Sequence, residues 1–161
     1  MADALLKDIG LYKRNIISAL IKSEDFCQVM LGKNYTQADV DGLMYHQIFP
    51  YLFIDGVQTE VLPYLCVEVN VNKVMNSSTK DMVLTVWAYS HNDCMRCTMK
   101  GYVGTRIDII CDIFERVLHD SDNFGIGKMS LQSVRYIFPT QNYYGREMTL
   151  HIPDFRMKEI K

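Results

Sequence analysis

Apolar and polar positions along the chain follow two periods, one helical and one strand-like. The clearest helical signal lies in residues 104–119. Ile107, Ile110, Cys111, Phe114, Val117 and Leu118 recur there at steps of three and four, which places them on one helix face. Ile109 and Ile113 flank and widen that face, while Asp108, Asp112, Glu115 and His119 form a narrow polar stripe opposite. Thr105 is suited to be the N-cap, with Asp108 as the reciprocal acceptor of a capping box. A face this wide needs cover on more than one side.

Two alternating segments precede this helix and two follow it. In residues 64–72, Leu65, Val67, Val69 and Val71 point one way and Cys66, Glu68, Asn70 and Asn72 the other. In residues 82–90, Leu84, Val86 and Ala88 share one face, and Val83, Thr85, Trp87 and Tyr89 the other. The polar stretch from Asn76 to Asp81 joins them as an antiparallel hairpin. Trp87 and Tyr89 on the second face imply that it too is partly covered. Beyond the helix, residues 121–127 read as a turn, and residues 129–138 as a strand whose phase slips. Its apolar positions are odd at Met129 and Leu131 and even at Val134 and Tyr136, so a bulge is expected near Gln132-Ser133. Residues 140–145 read as a turn. Residues 147–152 read as the last strand, with Met148, Leu150 and Ile152 inward and Pro153 ending it.

The N-terminal part reads as helical. Leu5, Ile9, Tyr12, Ile16 and Leu20 share a face across residues 4–21, weakened at Gly10 by about 1 kcal/mol relative to alanine. Ser23 caps a second helix through Phe26, Val29 and Met30, which Gly32 ends. Thr36-Gln37-Ala38-Asp39 opens a third, running through Val40, Leu43 and Met44 and at most to Ile48, with Pro50 as the stop. Such helices can pack on the sheet or reach a neighbouring subunit. Residues 51–62 are irregular but rich in aromatic and branched side chains, so they should be pinned against the core or another chain. The expected fold is α+β, one domain over residues 1–161. A helical part (1–49) precedes a β-β-α-β-β core (50–161), whose antiparallel hairpins form a sheet packed by the central helix.

Composition narrows the function. The 161 residues suffice for one domain with a substantial core. A formal net charge of −2 argues against a general nucleic-acid binder. No apolar run is long enough to span a bilayer, and the first residues carry acids early without a basic segment, unlike a secretory signal. Five cysteines without extracellular cues suggest reduced thiols in a cytosol. The sequons at Asn34 and Asn76 carry no weight without secretion.

His91, Cys94 and Cys97 form the most suggestive chemical cluster. A Cys-x-x-Cys turn can hold a tetrahedral metal with His91 as a third ligand, but a structural site needs a fourth. Cys66, Cys111 and His46 are scattered candidates for it. Redox use would favour the pair at a helix start, and here it sits several residues upstream. Free loop cysteines are the simpler reading, and neither metal nor cofactor is expected. Gly125-Ile126-Gly127-Lys128 fails as a phosphate loop: Asp122 stands where the first glycine belongs, Met129 follows the lysine, and the order is helix then strand. Asp108, Asp112 and Glu115, with Arg106 and Arg116 nearby, read as a solvated or interface face. His46, His119 and His151 are isolated, so no nucleophile-base set is assembled and no enzyme is expected. Tyr143-Tyr144-Gly145-Arg146 could stack on a base, but a hairpin turn at a subunit contact is the simpler reading. The ten methionines read as core and interface filler.

Several motifs together resemble a family of small proteins from the structural-gene clusters of tailed phages and prophages of Gram-positive bacteria. They are Gln47-Ile48-Phe49-Pro50-Tyr51, Tyr64-Leu65-Cys66-Val67-Glu68-Val69, Leu84-Thr85-Val86-Trp87 and Gly104-Thr105-Arg106-Ile107-Asp108. Asn123-Phe124-Gly125-Ile126-Gly127-Lys128, Tyr144-Gly145-Arg146-Glu147 and Ile152-Pro153-Asp154-Phe155 complete the set. The likeness covers residues 47–155, about two-thirds of the chain. The element order is similar to that of tail-terminator and tail-completion proteins of long-tailed phages. That resemblance implies a virion protein assembled in the host cytoplasm, forming a homo-oligomeric ring, commonly a hexamer. The ring would contact the tail-tube protein and the head-completion or neck proteins, with no membrane partner and DNA only as cargo through the channel. It transfers no catalytic residue. Apolar loop content then nominates Tyr51, Phe53, Ile54, Val57, Asn76, Tyr143, Tyr144 and Arg146 as interface residues. The alternatives are another neck or connector protein, or a small metal-binding regulator using His91, Cys94 and Cys97.

Overall fold

A computed structural model of the chain describes residues 6–75, 79–119 and 129–155. The glycine turn at 121–127 and the hairpin tip at Asn76 lie outside the described residues. The fold is α+β. Three helices, α1 (Lys7–Ile21), α2 (Glu24–Leu31) and α3 (Gln37–Asp41), precede β1 (Ile48–Phe49), β2 (Pro63–Val74) and β3 (Thr79–His91). A short 3-10 turn (Asn92–Cys94) and a loop lead to α4 (Arg106–His119), followed by β4 (Ser130–Thr140) and β5 (Tyr143–Phe155). The sheet order is β1-β2-β3-β5-β4, antiparallel except for the parallel β1–β2 pair.

Capping chemistry sets the helix starts. Ser23 accepts the Phe26 N–H at the start of α2, and Thr36 and Asp39 form a reciprocal capping box at α3. Thr105 and Asp108 do the same at α4: the Asp108 carboxylate accepts the Thr105 N–H at 2.9 Å, and the Thr105 hydroxyl oxygen accepts the Asp108 N–H at 3.3 Å. Gly32 ends α2 at φ 97°, a left-handed conformation that glycine adopts without steric penalty. The third helix is shorter than the sequence suggested. It stops at Asp41, Tyr45 takes a left-handed φ of 60°, and the chain turns so that Ile48 pairs with Leu65. As a strand, Ile48–Phe49 buries one side chain on each sheet face, which a continued helix would not do.

The main core lies between the sheet and the helices. Leu65, Val67 and Val69 of β2, Met82, Leu84, Val86 and Ala88 of β3, and Met148, Leu150 and Ile152 of β5 point to one side. There they meet Tyr12, Ile16 and Leu20 of α1, Phe26 and Met30 of α2, and Ile107, Ile110 and Phe114 of α4. Ile109 and Ile113, expected to flank and widen the α4 face, are buried in this core, and Cys111 and Val117 are partly buried against it. The N-terminal helices therefore dock on their own sheet. The opposite face carries a second, aromatic core of Phe49, Tyr64, Cys66, Tyr89 and Tyr143, roofed by Leu52, Phe53, Ile54 and Leu62 of the 51–62 loop.

Several strand boundaries differ from the pattern reading: Thr79 to Asp81, read as part of the polar turn, begin β3, where Lys80 and Asp81 pair with Val74 and Lys73. The β4–β5 hairpin turns at Gln141-Asn142, where Asn142 has φ 68°, so residues 143–145 belong to β5. Pro153 does not end β5; it pairs with Asp81 of β3 beyond the last β4 partner, His151, where a missing N–H breaks no ladder on that side. The expected bulge is present, as a register shift between Leu131 and Ser133. A second shift falls between Ile137 and Thr140, around Pro139.

Gly145 faces Tyr89 across the β3–β5 pair, and a Cβ there would stand 2.0 Å from the Ala88 carbonyl oxygen and 2.7 Å from the Tyr89 Cα. Gly145→Ala must separate the two strands and should destabilise the protein by about 3 kcal/mol or more. Gly10 of α1 has open space at the same position, so Gly10→Ala should raise stability by up to about 1 kcal/mol. Urea denaturation of the two variants checks both signs.

Candidate functional site

The N-terminus of α4 is the junction of the molecule. The Arg106 Nε donates to the Cys94 carbonyl at 2.6 Å and its Nη1 to the Val29 carbonyl at 2.5 Å, tying the helix to the preceding loop and to the end of α2. Asp108 receives Thr105 on one oxygen and Arg146 of β5 on the other, with Arg146 Nε at 3.0 Å and Nη2 at 2.9 Å. Two motifs far apart in the chain, Gly104 to Asp108 and Tyr144 to Glu147, thus meet in one ion pair. Gly104 permits the approach: its φ is 119°, and a Cβ there would lie 2.7 Å from the Asp108 side chain. Met95, Ile107, Tyr136 and Tyr144 complete a cleft of about 240 Å³ over this pair.

β4 is the long open edge of the sheet. Its residues Leu131, Val134 and Tyr136 pair with Leu150, Met148 and Arg146, which places them on the helix-facing side. α4, however, packs mainly over β3 and β5 and leaves them largely uncovered. Leu131, Val134, Tyr136 and Phe138 are 41%, 44%, 65% and 55% exposed. This stripe was missed in the sequence because its alternation is that of an ordinary half-buried strand; only the strand order reveals that the cover stops short. Tyr144 adds to it, with its ring centroid 5.1 Å from Phe138 and 6.3 Å from Tyr136.

The nominated interface residues divide. Tyr51 and Val57 are exposed, Val57 at 82%, and Val61 joins them at 46%. Phe53 and Ile54 are half-buried against the second core, where the Phe53 carbonyl accepts the Tyr89 hydroxyl at 2.8 Å. Tyr143, expected at a hairpin tip, is instead 1% exposed: its ring packs with Tyr64, Tyr89 and His91, and its hydroxyl donates to the Glu60 carbonyl at 2.5 Å. Burying three tyrosine rings under the loop outweighs any gain from exposing one at a turn. Burial pushes the Tyr64 and Tyr89 hydroxyls well above their ordinary range, so they stay neutral.

The cysteine cluster does not converge. His91 accepts the Asp93 N–H on Nδ1 at 3.0 Å, Cys94 lies 2.9 Å from the buried Ser90 hydroxyl, and Cys97 packs against the main core. Cys66 lies in the second core and Cys111 on the rim of α4, with burial raising their thiols to about 11 and about 12. Among the described residues, no three His, Cys, Asp or Glu side chains are grouped to hold a metal. The carboxylate stripe of α4 is used in ion pairs, Asp108 with Arg146 and Asp112 with Arg116. A separate apolar groove of about 640 Å³ runs between α1 and the turn after α3, bordered by Lys13, Arg14 and Lys22 and floored by Ile17, Ile21 and Met44.

Burial is the largest single influence on Asp108 and opposes its charge. The Thr105 N–H and hydroxyl and the Arg146 guanidinium together still hold the carboxyl below its ordinary range. Its stabilising effect is therefore complete above the ordinary carboxylate range and lost as pH falls through the lowered folded value. Asp108→Asn should lower the melting temperature at neutral pH and shrink the difference from wild type below about pH 4. Melting temperature against pH for the two proteins checks it; parallel curves would remove Asp108 from the acid response.

Among curated proteins none matches the chain. The described geometry can, however, be set beside one family, YomW, which matches residues 14–152 and so spans α1 from its middle through the whole sheet to near the end of β5. With most of its length matched, the chain belongs to the YomW family, a family associated with phages and prophages of Bacillus.

Proposed function

We propose that this protein is a structural component of a tailed-phage virion, a tail terminator that forms a ring and joins the tail tube to the head-completion or neck proteins. The observation that carries the reading is β4. It is an 11-residue edge strand whose Leu131, Val134, Tyr136 and Phe138 stay exposed; Arg135, Pro139 and two register shifts interrupt the edge, but the apolar stripe is left uncovered. An exposed apolar stripe along an edge strand offers a surface to another chain. A ring subunit needs such a surface, and phage association of the family agrees with the setting. The role asks for shape and association rather than catalysis: the ring, a hexamer by preference, seats on the tube, meets the neck on its other side, and lets DNA pass as cargo. The virion is its destination, and the host cytoplasm the place of assembly.

Light scattering and negative-stain microscopy of the purified protein, alone and with assembled tail tubes, test this. Rings, or density capping one end of each tube, are expected. A monomer that ignores tubes contradicts it, and binding to neck complexes without binding to tubes would move the protein to another connector position.

A further inference from the structure

Residues 57–61 have a strand's pattern without a strand's partner. Val57, Thr59 and Val61 are β-branched at every second position and exposed, yet the segment belongs to no strand and runs directly into β2. β4 has the converse property, a strand with one open side. Resting on the ring reading above, we infer that residues 57–61 of one copy lie along the open edge of β4 of the next copy, extending the sheet from subunit to subunit.

Three features favour this occupant. The first is face matching. If Val57, Thr59 and Val61 take the helix-facing side, they continue the stripe of Val134, Tyr136 and Phe138, and Gln58 and Glu60 fall on the other side with Arg135. The second is charge. Residues 129–140 carry Arg135 and no carboxylate, while residues 51–62 carry Asp55 and Glu60 and no cation. The third is placement. The donor segment leads into β2 and is a different surface from the β4 edge, so the contact is head-to-tail and can close into a ring. A contact between two copies of β4 would be twofold and would stop at a dimer. The donor segment is also held from its own side, with Glu60 3.1 Å from His46 through its carboxylate and bonded to Tyr143 through its carbonyl. It is therefore presented with little further ordering to be lost on docking.

The test uses the full chain. A photoreactive phenylalanine analogue replacing Tyr136, in mixed heavy- and light-isotope protein, should crosslink to residues 57–61 of a different copy. Arg135→Glu and Glu60→Arg should each weaken self-association at least tenfold in sedimentation, and the double variant should recover most of it. An assembly that forms normally with links elsewhere, or that ignores both charge reversals, overturns this interface and leaves the ring reading standing. Wild-type protein that stays monomeric both alone and with tail tubes overturns both.

Discussion

Burial of β3, along its helix-facing side and at Tyr89 on the other, is the constraint on which the rest of the structure depends. The strand is hydrogen-bonded along both edges, to β2 and β5, and its side chains feed both cores: Met82, Leu84, Val86 and Ala88 toward the helices, Tyr89 toward the 51–62 loop. A fully buried aliphatic or aromatic side chain contributes roughly 1.5–3 kcal/mol, so neither cover is optional. Four helices supply one and an irregular loop the other. The loop serves because its carbonyl groups are met by the sheet, Phe53 by the Tyr89 hydroxyl and Glu60 by the Tyr143 hydroxyl.

Few polar contacts fix where those covers sit. Gln47, 3% exposed, donates to the carbonyls of Met30 and Pro63 and accepts the Leu65 N–H through its own carbonyl, so it locks the end of α2 to the start of the sheet. Lys80 is buried and pairs with Asp8 at 2.7 Å, joining β3 to the start of α1. Arg106 and the Asp108–Arg146 pair set the position of α4 against α2 and β5. With α4 held mainly over β3 and β5, the outer strand is left largely uncovered. The exposed stripe on β4 is thus a consequence of how the core is closed, and it supplies the surface on which the assembly reading rests.

Much of this was legible in the chain, because periodicity and capping are local. The α4 capping box, the two faces of β2 and β3, the bulge after Leu131 and the need to pin residues 51–62 all follow from neighbouring residues. What failed was long-range. Leu43, Met44 and Ile48 fit a helical period that runs past Asp41, while the pairing of Ile48 with Leu65 ends the third helix earlier. A tyrosine pair beside a glycine resembles an exposed turn, while the close approach of Gly145 to Tyr89 brings β5 against β3 and Tyr143 is buried. The stripe on β4 could not be read without knowing which strand lies at the edge.

In the proposed ring, β4 is a completed edge only in the assembly. Residue-level hydrogen exchange on dilute protein and on the assembled form measures this directly. Slow exchange is expected in β3 and β5 in both forms, with outward-facing β4 amides that exchange rapidly in the dilute protein and become protected on assembly. Protection of β4 that is the same in both forms would contradict it.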